Sequence, residues 1–72
     1  MRYMVVIEKW PSSYGAFVPD LPGCIAAGET EAEALALIEE AIQLHLEDMQ
    51  AGGLQIPPPA SRSIFIEVPL AA

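Results

Sequence analysis

A chain of 72 residues with ten acidic and three basic side chains, formal charge −7 at pH 7, reads as one domain with a thin core, since chains this short hide only roughly 60% of their unfolded surface. Arg2, Lys9 and Arg62 are too scattered to hold a phosphate backbone, which argues against direct nucleic-acid binding. A 53% hydrophobic composition argues against disorder, and the lone Cys24 leaves no internal disulfide and no multi-cysteine metal site.

Residues 2–8 favour a strand, with Tyr3, Val5 and Ile7 on one face and Met4 and Val6 on the other. Both faces are apolar, so a central position is expected. Pro11, Ser12 and Ser13 supply a turn after Trp10, and residues 15–18 return as a second strand. Pro19, Pro22 and Gly23 mark an exposed loop before a third short strand at residues 24–27.

The helix is the clearest local feature. Thr30 followed by Glu33 has the form of a capping box, and Glu31 and Glu33 suit the positive end of the helix dipole. Ala-, Leu- and Glu-rich sequence runs to Ala51 and stops at Gly52-Gly53. Ala34, Leu35, Ile38, Ala41, Ile42, Leu46 and Met49 form one stripe; Leu37 and Leu44 lie on its shoulder, as edge packing or a candidate oligomer interface. After the stiff Pro57-Pro58-Pro59 connector, residues 63–68 alternate, with Ile64, Ile66 and Val68 opposite Phe65 and Glu67, and read as a last strand.

The order β-β-β-α-β predicts an α+β fold: a four-stranded mixed sheet of order 3-2-1-4 with one helix on one face, the last strand parallel to the first after a right-handed crossover. One helix leaves the opposite face bare, so a homo-oligomer, dimer or tetramer, is expected. No leader-like segment and no run of about 20 apolar residues is present, so a cytoplasmic protein without membrane contact is expected.

Little chemistry stands out. His45, the only histidine, lies within the apolar stripe and reads as a core or interface residue, not a base or a metal ligand. Cys24 has few charges nearby to stabilise a thiolate. The predicted topology matches the front half of ribonuclease-H-like nucleases, but their acid within the first strand is missing: the interior there is Tyr3 to Ile7, with Glu8 at the end. No catalytic residue, metal site or cofactor is expected, and no enzyme.

The run Phe17-Val18-Pro19-Asp20-Leu21-Pro22-Gly23-Cys24, the step Gly28-Glu29-Thr30, the opening Glu33-Ala34-Leu35, and the exit Gly53, Ile56-Pro57 and Pro59 resemble the HicB-like antitoxin family over nearly the whole chain. The resemblance implies a partly degraded ribonuclease-H-like fold and a non-enzymatic antitoxin of a type II toxin-antitoxin system. Its expected partner is a small basic HicA-type toxin that cleaves mRNA, complementary in charge to this acidic chain. It makes Pro19, Asp20, Leu21, Pro22, Gly23 and Cys24 the candidate partner-binding loop; the same run also has a purely conformational reading, as a tight loop set by Asp20, two prolines and a glycine. Thr30 and Glu33 are assigned to helix capping. Residues 1–72 are expected to form a single HicB-like domain without the C-terminal DNA-binding domain usual in full-length members. The alternative is an oligomeric scaffold or ligand-binding module of the same fold with no toxin partner.

Overall fold

The computed structural model describes residues 1–71. Three antiparallel strands, β1 (Val6–Lys9), β2 (Tyr14–Phe17) and β3 (Ile25–Gly28), are followed by one helix, α1 (Glu31–Ala51). The strands lie in the order β1-β2-β3, so β2 is central and β1 is an edge. The predicted four-stranded mixed sheet of order 3-2-1-4 is therefore wrong: residues 63–68 form no strand and are exposed throughout. The first strand also joins the ladder only from Val6, although Tyr3 and Val5 still pack on the core. Alternation marks residues able to line a strand; it does not supply the neighbour that makes one.

Register explains the two faces of the sheet. Ile7, Ala16 and Ala26 are partners across the three strands and belong to the core beneath α1. Val6, Phe17 and Ile25 form the adjacent row and, by alternation, point to the opposite face. Small residues at Ala16 and Ala26 let the helix approach closely. At Gly28 the approach is closest: a Cβ there would stand 2.7 Å from the Ala34 backbone nitrogen.

The buried core is six residues, Ala16, Val18, Leu21, Cys24, Ala34 and Ile38. Helix α1 outruns it. Its 21 residues extend about 31 Å at about 1.5 Å per residue, against about 13 Å for a four-residue strand. Only Ala34 and Ile38 of the helix are fully buried, while Ala41, Ile42 and Leu46 pack on the core's margin. Leu35, expected in the buried stripe, is exposed.

The helix ends are set by local hydrogen bonds. The Thr30 side chain accepts from the Glu33 amide at 3.1 Å. The Glu33 carboxylate accepts from the amide of Glu29, one residue ahead of the cap, at 3.4 Å. At the far end Gly53 N–H donates to Gln50 C=O and Leu54 N–H to Met49 C=O, the paired bonds of a Schellman motif.

Candidate partner-binding site

The loop between β2 and β3 is two successive β-turns. Leu21 N–H donates to Val18 C=O with Pro19 in the second position. Cys24 N–H then donates to Leu21 C=O across Pro22-Gly23, where Gly23 has φ +83°, the type II geometry that a side chain disfavours. Val18 N–H closes the loop on Cys24 C=O at 3.2 Å.

This geometry divides the six candidate residues. Leu21 and Cys24 point inward and are buried, so neither presents its side chain to a partner. Burial pushes the Cys24 thiol above its ordinary pKa, which keeps it neutral. Pro19, Pro22 and Gly23 are exposed on the loop's outer side. Asp20 has a different occupation, with no local signal in the sequence. Its Oδ2 accepts the backbone N–H groups of Ala60 and Ser61, both at 2.9 Å, and its Oδ1 accepts the Ser61 hydroxyl at 2.7 Å. Bonds from the Ser61 backbone, the Ser61 hydroxyl and the Ala60 backbone, in that order, hold the carboxyl below its ordinary pKa. The Tyr3 hydroxyl donates to the Pro57 carbonyl, a second tie between the connector and the body.

Two apolar surfaces flank this frame. On the sheet face away from α1, Val6, Phe17 and Ile25 form a row, with Ile25 71% exposed. The Trp10 ring lies over Gly15 in the same layer, where a Cβ would collide with it. That clash explains why the second strand carries a glycine, and nothing in the local pattern announced it. The other surface is the helix shoulder, where Leu37 and Leu44 are both exposed. His45 is half-buried and lies beside Leu44, Glu47 and Asp48 on the overhanging end of α1.

Charge is one-sided. Glu29, Glu31, Glu33, Glu39, Glu40, Glu47 and Asp48, seven of the ten acidic residues, lie on α1 or at its entry, and no lysine or arginine occurs between Lys9 and Arg62. Lys9 itself is turned to Tyr14, its cross-strand partner, with Nζ 4.8 Å from the ring centroid. Among the described residues, no cluster of three His, Cys, Asp or Glu side chains is arranged to hold a metal ion. No helix of the described residues is long and apolar enough to cross a membrane.

The chain is thus a small domain with a three-stranded sheet, one acidic helix and a double-turn loop between β2 and β3. The pattern of the HicB_like antitoxins of bacterial toxin-antitoxin systems matches residues 3–69, and the chain belongs to that family. A UPF0150 protein of Helicobacter pylori is 51% identical over 54 residues, covering 75% of each chain. An uncharacterised 14.9 kDa protein of Haemophilus phage HP1 is 42% identical over 57 residues, 79% of this chain and 43% of that one. Antitoxin HicB 2 of Photorhabdus laumondii is 31% identical over 70 residues, 96% of this chain and 50% of the antitoxin. The chain thus spans about half the length of these last two relatives.

Proposed function

We propose that this chain is a non-enzymatic antitoxin that binds and neutralises a small basic HicA-type toxin, an mRNA-cleaving ribonuclease, in the cytoplasm. Family membership supports the antitoxin role. The observation that carries the choice of partner is the helix: α1 bears Glu31, Glu33, Glu39, Glu40, Glu47 and Asp48 and no lysine or arginine. A surface of one sign speeds encounter with a protein of the opposite sign and covers the cationic groups that an RNA-cleaving enzyme needs.

In this reading residues 1–72 act as one HicB-like domain, as a dimer or tetramer. Pro19, Pro22 and Gly23 meet the partner through the loop's outer side, whereas Leu21 and Cys24 shape that loop from within. Leu37 and Leu44 offer an apolar margin beside the acidic face. Thr30 and Glu33 hold the helix start in place.

Co-expression with the product of the open reading frame adjacent to this gene tests the reading. The neighbour should arrest growth alone and be relieved by this chain. A Glu39→Lys, Glu40→Lys, Glu47→Lys triple variant should associate more slowly and lose the salt dependence of its on-rate. A neighbour that is harmless alone, or toxic and unrelieved, sinks the proposal.

A further inference from the structure

The basic residues stand far apart in the sequence, yet the fold gathers two of the three. Arg2 and Tyr3 from the N-terminal end, with Pro59, Ser61, Arg62 and Ser63 from the root of the tail, line one open concavity of about 450 Å³. Two ties hold its walls together. The Tyr3 hydroxyl donates to the Pro57 carbonyl, and Asp20 accepts the N–H groups of Ala60 and Ser61. Bonds of the fold, not the wandering of two loose ends, thus bring the arginines to one place.

Charge sets this concavity apart from the rest of the surface. The chain carries ten carboxylate side chains and a net −7, but no acidic residue lines it. The Asp20 carboxylate, the acid bonded to its wall, has both oxygens taken up by donors from Ala60 and Ser61. Lys9, the remaining cation, lies over the Tyr14 ring.

We propose that this concavity binds a small phosphomonoester, with Arg2 and Arg62 on the phosphoryl oxygens. Two guanidiniums balance the two negative charges of a phosphoryl dianion, and their planar pairs of donors suit its several oxygens; a carboxylate is satisfied by one guanidinium. Ser63 adds a hydroxyl, whereas the Ser61 hydroxyl hydrogen is already given to Asp20. The volume falls within the range of small-molecule sites and exceeds what a bare phosphate ion fills. Tyr3 and Pro59 supply apolar wall for the organic part of the ligand. A polynucleotide fits poorly. One pair of arginines neutralises one phosphoryl group, and the net −7 repels the rest of a backbone.

The inference concerns this chain alone and does not depend on the toxin. Titration of the full chain with adenosine 5′-monophosphate at constant ionic strength should give saturable amide shifts at residues 2–4 and 61–63. Inorganic phosphate should shift the same amides but saturate at higher concentration. Arg2→Ala and Arg62→Ala should each raise the dissociation constant about tenfold, the loss of one charge-assisted contact. Lys9→Ala removes the same charge elsewhere and should leave the constant unchanged. All three residues are exposed, so the helical circular dichroism of every variant should match the wild type. Shifts that never saturate, an equal loss in Lys9→Ala, inorganic phosphate binding as well as the nucleotide, or a short oligoribonucleotide binding more tightly per phosphate would each overturn it.

Discussion

The body up to Leu54 and the tail beyond Ala60 are written in the same aliphatic alphabet, yet the fold treats them oppositely. In the body, Leu21 and Ile38 are shut away at 1% and 2% exposure; in the tail, Ile64 and Ile66 stand 71% and 78% exposed. The difference is not hydrophobicity but the presence of a facing surface. Each core residue meets a second element set at the right height by a turn or a cap. The tail's large apolar side chains stay in solvent, although its root is tied to Asp20 and Tyr3. Burial thus follows from where hydrogen bonds send the chain as much as from what the chain carries.

The contrast breaks most sharply by truncation. Leu21→Ala or Ile38→Ala should cost about 2–5 kcal/mol in urea denaturation, because each leaves a cavity in a six-residue core. Ile64→Ala, measured at dilution where copies are separate, should stay within about 0.5 kcal/mol. Equal losses at the two sites would mean that the tail is packed in the monomer. Next comes Gly28→Ala, which sets a methyl against the Ala34 nitrogen and the Glu33 side chain and should cost about 1–3 kcal/mol. Thr30→Ala should lose about 1 kcal/mol by freeing the Glu33 amide, with Thr30→Asn close to neutral in the same melt.

The smallest effect on global stability, and the most local, belongs to Asp20→Asn. One of the two accepting oxygens becomes a donor, so the Ala60 and Ser61 amides should exchange faster while the melting temperature holds. Acid should mimic it. Because the folded carboxyl has a lowered pKa, the tie is fully present above the unfolded aspartate value and is lost as pH falls through the folded one. Amide shifts of Ala60 and Ser61 that ignore acid titration would remove Asp20 from this role.

Much of the body is legible in the residue order. Thr30 and Gly52-Gly53 bracket α1, and the prolines and serines between strands place β2 and β3 within a residue or so of their observed bounds. What escapes is whatever joins distant positions. The bond from Asp20 to Ser61 crosses forty-one positions, and a loop aspartate looks the same whether it bonds its neighbour or a remote strap. The cover of Trp10 on Gly15 is a tertiary fact, and so is the absence of a ladder on the outer side of β1 among the described residues. The loop that resembles a family motif is likewise partly architecture, with Leu21 and Cys24 of its six residues buried.

Trp10 is the chain's single tryptophan, and 43% of it remains open to solvent on the sheet face away from the helix. Its indole therefore serves as a built-in optical reporter for that face. A protein that settles over Val6, Phe17 and Ile25 shifts the emission to the blue and shields it from iodide. One that engages only the acidic helix leaves the spectrum where it was. Ultraviolet fluorescence of the unmodified chain thus separates docking on one side of the molecule from docking on the other.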